Sequence, residues 1–233
     1  MRAIVQDRYG PYREVLGVRE VPRPAVGSGH VLVRVRATSV HADVWHAVNG
    51  IPYVLRLMGA GVRAPRQTVP GTDLAGEVVQ VGAGVGRVAP GDRVFGEVTG
   101  NNQWSNAGTF AEYAAVDASL LAPIPDHLSF QEAAAVPTAA LIALMNLRDQ
   151  GRVSAGQRVL VNGAGGAVGV WAVQLAKVFG AEVTAVDAPK KLDLLRELGA
   201  DHVIDYTEQD FTGMGVRYDM VFDIVSQASF RQV

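Results

Sequence analysis

The stretch that decides the fold runs from residue 158 to residue 187, RVLVNGAGGAVGVWAVQLAKVFGAEVTAVD. An apolar run, Val159-Leu160-Val161, meets a glycine-rich turn, Gly163-Ala164-Gly165-Gly166-Ala167-Val168-Gly169. Apolar residues at helical spacing follow, and Gly180 stops them. A second apolar run, Val183-Thr184-Ala185-Val186, ends on Asp187. Strand, turn, helix, strand, acid is the order of a dinucleotide-binding βαβ unit. Glycines let the backbone turn tightly and approach a pyrophosphate. The free amides and positive end of the helix receive its charge. An acid closing the second strand accepts hydrogen bonds from ribose hydroxyls, and Asp187 follows Gly169 at close to the ~20 residues this arrangement uses. Asn162, Gly163, Ala164, Gly165, Gly166, Ala167 and Val168 are thus the candidate pyrophosphate loop, and Asp187 the candidate ribose acceptor.

The rest of the chain fits two domains. Its 233 residues are 48% hydrophobic and 19% charged, enough apolar material for a substantial core. A net charge of −2 with interspersed signs gives no footprint for nucleic acid or an anionic membrane. No apolar run approaches the ~18–20 residues that cross a bilayer. The N-terminal MRAIVQDRYGPYREV lacks a secretory apolar core, so cytoplasm is the expected compartment. Cysteine is absent, which excludes disulfides, a thiolate nucleophile and every cysteine-based zinc site.

Residues 1–125 read as short strands with frequent glycine turns: Ala3–Val5, His30–Ala37, Leu74–Val81, Arg93–Phe95 and Phe110–Val116, with a short helix over Ala42–Asn49. That pattern predicts a compact β-barrel domain. Pro123 and Pro125 mark the boundary, so residues 126–233 form the nucleotide domain. Ser129-Phe130-Gln131-Glu132 is a capping box, and Pro137 divides the helical region that follows. Further strands are expected at His202–Tyr206 and Tyr218–Val225. Four parallel strands against six in a full doubly wound domain predict a C-terminally truncated sheet. Its open edge beside Tyr218–Val225 would invite association with another copy or a partner polypeptide.

Several motifs together resemble the medium-chain dehydrogenase/reductase superfamily, in its zinc-independent quinone-oxidoreductase-like and enoyl-reductase-like branch. They are Pro70-Gly71-Thr72-Asp73-Leu74-Ala75-Gly76, Pro90-Gly91-Asp92-Arg93-Val94, Glu132-Ala133-Ala134-Ala135-Val136-Pro137, the loop Asn162–Gly169, and Gly199-Ala200-Asp201-His202-Val203-Ile204-Asp205-Tyr206. The resemblance implies an α/β protein with an N-terminal GroES-like β-barrel domain and a Rossmann domain, the active site lying in the cleft between them. It also implies hydride transfer between a nicotinamide and a carbonyl, quinone or conjugated alkene. A zinc-assisted alcohol dehydrogenase and a non-catalytic derivative of the fold are the rival readings.

The departures are informative. Zinc-dependent relatives have Cys where this chain has His41 and His where it has Thr72, so no metal site is expected. Quinone-reductase relatives often carry Asn at the His41 position. A threonine that faces the nicotinamide in relatives is replaced by Ile142. Lys191 matches a phosphate-binding lysine of NADPH-using relatives, whereas Asp187 favours a free 2′-hydroxyl, so NAD and NADP both stay open. Tyr206 matches a position bordering the adenosine ribose.

His41, Asp43, Trp45 and His46 cluster after the His30–Ala37 strand. His41 suits a proton donor because imidazole titrates near neutrality. Tyr53 is a second candidate to hydrogen-bond a carbonyl substrate. Asp43, Trp45 and Thr72 are candidate substrate contacts. The structural alternatives are that Asp43 caps the short helix, Trp45 packs inside the barrel and Tyr53 is an ordinary half-buried residue.

Overall fold

The computed structural model describes residues 1–100 and 106–225. It divides into two compact units, Met1–Thr138 and Ala139–Val233.

In the first unit, β1 (Arg2–Val5) is followed by a single helical turn, α1 (Tyr12–Val15), and by β2 (Gly17–Glu20), its antiparallel partner. After β3 (His30–Ala37) come α2 (Ala42–Asn49), β4 (Asp73–Val81), β5 (Arg93–Glu97), β6 (Tyr113–Asp117) and the two-residue β7 (Ala122–Pro123). The five long-range strands pair antiparallel in the order β6-β3-β4-β5-β7. Strand β3 buries Val31, Leu32 and Val33 in succession and then alternates exposed Arg34 and Arg36 with half-buried Val35 and Ala37. Val31, Val33, Leu74, Val78 and Val94 form the buried centre.

The expected boundary at 125/126 differs from the division after Thr138. Helix α3 (Phe130–Ala134) is the reason. Its capping box forms as read, with the Ser129 hydroxyl accepting the Glu132 N–H at 3.2 Å and Glu132 accepting the Ser129 N–H at 2.8 Å. Ala133 and Ala134 then bury against Ala75, Ile124 and Phe95, which ties the helix to the first unit. Helix α4 (Pro137–Leu144) starts at the proline, as expected.

The second unit is a parallel sheet of β8 (Arg158–Asn162), β9 (Glu182–Asp187), β10 (His202–Asp205) and β11 (Met220–Asp223), in the order β10-β9-β8-β11. Helix α5 (Ala167–Val178) joins β8 to β9, and α6 (Leu192–Glu197) precedes β10. Both faces are covered. Val159, Val161, Val183 and Ala185 pack with Ala172, Val173 and Leu195 on one face, while Leu160, Val186 and Ile204 meet Phe211 and Tyr218 on the other. Because β9 and β11 flank β8 on opposite sides, strand order reverses at β8, and an open α/β sheet binds ligands outside its strand ends at such a point. β11 is shorter than the expected Tyr218–Val225 run, and its far edge has no strand partner among the described residues.

Candidate functional site

The glycine loop begins where β8 ends. Gly163 takes a left-handed φ of +81°, and its N–H and that of Ala164 donate to the Val186 carbonyl at 3.0 and 3.1 Å. Gly166 then starts α5, whose first helical bond runs from the Val170 N–H to the Gly166 carbonyl at 3.0 Å. The first-turn N–H groups of Ala167, Val168 and Gly169 therefore have no intrahelical acceptor. The glycines serve different purposes. A Cβ on Gly169 would lie 2.3 Å from the Gly163 carbonyl oxygen and 2.4 Å from that of Ala164, so its task is close packing of helix on loop. A Cβ on Gly166 would meet only the Gly163 oxygen, at 3.2 Å. Gly166 thus leaves the backbone open to a pocket of about 470 Å³, also lined by Asn162, Gly163, Asp187, Lys191 and Tyr206.

Two members of the expected loop do other work. Ala164 is fully buried in the core beneath α5 and offers no surface to a ligand. The Gly165 N–H donates to Asp187 Oδ2 at 2.7 Å. Asp187, expected as a ribose acceptor, has a structural duty as well. Its Oδ1 also accepts the Ala188 N–H at 2.8 Å and lies 3.2 Å from the Lys191 ammonium, and its side chain is only 8% exposed. The carboxylate fastens the loop to β9, and Lys191 is drawn onto it. Sequence spacing gave the position of Asp187 but not this hydrogen-bonding duty.

In the first unit, His41 and Thr72 come together: His41 Nε2 lies 2.7 Å from Thr72 Oγ1. His41 is the N-cap residue of α2 in extended conformation, which turns its ring from the helix towards β4. Asp43 does not cap α2, since no side-chain cap bond forms there; it sits in the first turn with Oδ2 3.7 Å from His41 Nδ1. Trp45 is not inside the sheet. It is half exposed and edge-on to His46, 5.0 Å between ring centroids. Tyr53 is 70% exposed rather than half-buried, with the Arg56 guanidinium 4.6 Å above its ring.

The sequence reading passed over what lies behind His41. Asp73 is 2% exposed and accepts hydroxyl bonds from Ser39 at 2.7 Å and Thr138 at 2.6 Å. Its Oδ2 is 3.9 Å from His41 Nε2. A buried carboxylate must be met by donors, and two hydroxyls from separate segments meet this one. Glu97 faces the same region across the strand pair, and burial pushes its carboxyl above the ordinary carboxylate range. A carboxylate beside the Gly-Thr motif was the available signal, but which hydroxyls serve it depends on the fold. Among the described residues, no three His, Asp or Glu side chains converge to hold a metal ion.

A family model described as "Alcohol dehydrogenase GroES-like domain" matches residues 27–126, and one described as "Zinc-binding dehydrogenase" matches residues 167–233. A chloroplastic quinone-oxidoreductase, QR1, of Triphysaria versicolor is 33% identical over 97% of this chain and 68% of its own length. This chain belongs to the medium-chain dehydrogenase/reductase superfamily. Within it, the quinone-oxidoreductase-like branch is the one matched. The quinone oxidoreductase of Coxiella burnetii superposes with a TM-score of 0.83 at 31% identity, covering 97% of this chain and 68% of that one. A 2-methylene-furan-3-one reductase of Solanum lycopersicum is 38% identical over 97% of this chain, which spans 58% of that protein's length. The superfamily accounts for the two units: a GroES-like antiparallel domain and a Rossmann-like parallel sheet.

Proposed function

We propose that this chain carries the nucleotide-binding and proton-handling groups of a zinc-independent, NAD(P)-dependent oxidoreductase acting on quinones, conjugated alkenes or carbonyls. The observation that carries the reading is the open backbone at Gly166. A helix start, a glycine without an obstructing Cβ and a pocket edged by Asp187, Lys191 and Tyr206 fit a dinucleotide. The Gly166, Ala167 and Val168 backbone would hold the pyrophosphate, with Asp187, Lys191 and Tyr206 at the adenosine ribose. A bound nicotinamide supplies the hydride. Reduction of a carbonyl or conjugated alkene also consumes one proton, and His41, hydrogen-bonded to Thr72, is the group proposed to provide it.

Independence of zinc is supported by the donor set. The chain has no cysteine, and the Thr72 hydroxyl at the usual ligand position is engaged with His41. The likeness to proteins named as quinone and furanone reductases supports the substrate class. Tyr53, Asp43 and Trp45 are kept as proposed contributors to substrate contact, Tyr53 and Trp45 by virtue of their exposed rings. No described helix is long and apolar enough to cross a membrane. Cytoplasm is the proposed compartment, with cell fractionation as its test, since several relatives are named chloroplastic. Self-association through the β11 edge is also proposed.

Fluorescence titration with NADH and NADPH, followed by quinone and enal substrates, tests the function. Saturable binding and cofactor oxidation on at least one substrate class are expected. A folded chain that binds neither nucleotide would refute the reading.

A further inference from the structure

Glu97 belongs to no role assigned so far, yet its position is specific. Strands β4 and β5 pair antiparallel with Asp73 directly opposite Glu97. Directly opposed residues share a face of the sheet with Cβ atoms ~4.5–5.5 Å apart. Two carboxyl groups are therefore set side by side where one of them, Asp73, is almost wholly buried. Both cannot stay ionised there without a strong penalty, since like charges in a poorly hydrated place disfavour the second ionisation.

The surrounding donors decide which group keeps the negative charge. Asp73 has hydroxyls of Ser39 and Thr138 on its two oxygens, and the Thr138 N–H lies 3.4 Å from Oδ2. Among the described residues, Glu97 is met by Thr99 alone, whose N–H at 2.9 Å and hydroxyl both engage Oε1. Burial is the main cause of the rise in the Glu97 carboxyl. The Thr99 bonds oppose it, the charge of Asp73 adds to it and the nearby His41 counters it. The titratable groups of the cluster are accordingly Asp73 on β4, Glu97 on β5, His41 at the start of α2, and Asp43 on the far side of the imidazole.

We infer that Asp73 and Glu97 hold one proton between them and, through it, set the charge state of His41. This inference rests on the reading of His41 as the proton donor. With the proton on Glu97, the imidazole faces the single charge of Asp73. When that proton leaves, a second negative charge favours the imidazolium. Glu97 is thus a positioning residue, acting through His41 rather than on substrate.

The test is NMR titration of the intact chain with no nucleotide or substrate added, following the His41 ring nitrogens and the Glu97 carboxyl carbon. The His41 curve is expected to show a second inflection at the Glu97 midpoint. Glu97→Gln should abolish that inflection, and Asp73→Asn should lower the Glu97 midpoint by about half a pH unit or more, threefold in acidity. Superimposable His41 curves for the parent and Glu97→Gln would overturn the inference. So would a Glu97 carboxyl titrating at or below its ordinary ~4.3. Since the measurement needs no cofactor, it is independent of the nucleotide titrations that decide the oxidoreductase reading.

Discussion

Replacing Asp187 by serine separates the structural duty its carboxylate performs from the cofactor-selecting duty proposed for it. The first is structural: Asp187 satisfies the N–H groups of Gly165 and Ala188 and draws in Lys191. Serine reaches neither donor in the same way, and a buried N–H left without an acceptor costs about 1–3 kcal/mol. The Lys191 ion pair is partly exposed at its ammonium end and adds little to stability. A fall of several degrees in Tm is expected. The second duty is selection. A 2′-phosphate carries close to two negative charges. At roughly 6–8 Å from a carboxylate and an effective dielectric of about 40–80, repulsion amounts to about 1–3 kcal/mol. Removing it also frees Lys191 to meet the phosphate. The ratio Kd(NADPH)/Kd(NADH) should therefore fall tenfold or more in Asp187→Ser, tenfold being about 1.4 kcal/mol. The assay is fluorescence titration of both nucleotides well below the melting temperature of the variant. Adding Lys191→Met to the serine variant should remove part of the gain. An unchanged ratio in a folded Asp187→Ser chain would refute the assignment of Asp187 as the selector.

Other consequences follow from the same geometry. Gly166→Leu should keep the fold, because the added Cβ meets only one atom at 3.2 Å, yet weaken nucleotide binding at least tenfold; tight binding by this variant would show that the loop does not receive the pyrophosphate. Gly169→Leu, by contrast, drives a Cβ into two carbonyl oxygens and should show as a lost or strongly lowered thermal transition. Metal analysis should find no stoichiometric zinc, and chelator should leave any reductase activity unchanged; zinc bound through His41 would contradict this. Glu97, whose folded carboxyl is raised mainly by burial, stabilises the fold fully below its unfolded value, and that contribution is lost as pH rises through the folded value. Chemical denaturation of Glu97→Gln against parent should thus show the variant gaining relative stability from about pH 4.3 upward. Sedimentation should detect association of the 233-residue chain through the β11 edge; a strict monomer at high concentration would rule it out.

How much was legible before folding follows from the range of the interactions involved. The βαβ order, the helix starts at Ser129 and Gly166, the stop at Gly180 and the Ala42–Asn49 helix are written locally, in periodicity, caps and turn glycines. A signal carried by residues three or four apart survives in one dimension. The motif around Thr72 and the loop at Gly163–Gly169 likewise announced the superfamily, because the backbone demands of these turns fix residue type at short spacing. What tertiary structure alone decided is partnership across long separations. The Asp187 carboxylate reaches back to Gly165, the Asp73 carboxylate gathers hydroxyls from Ser39 and Thr138, and strand register sets Glu97 opposite Asp73. Shifting that register by one residue would point the two acids to opposite faces, and composition would not change at all. At the start of α2, likewise, one step of phase separates a cap from a first-turn residue such as Asp43, and a core aromatic from an exposed one such as Trp45. The sequence by itself determined which elements form and that a glycine-rich loop joins β8 to α5. The packing of those elements determined which acids stand opposite each other, which side chains hold the loop, and which face water, because desolvation and hydrogen bonding act through space rather than along the chain.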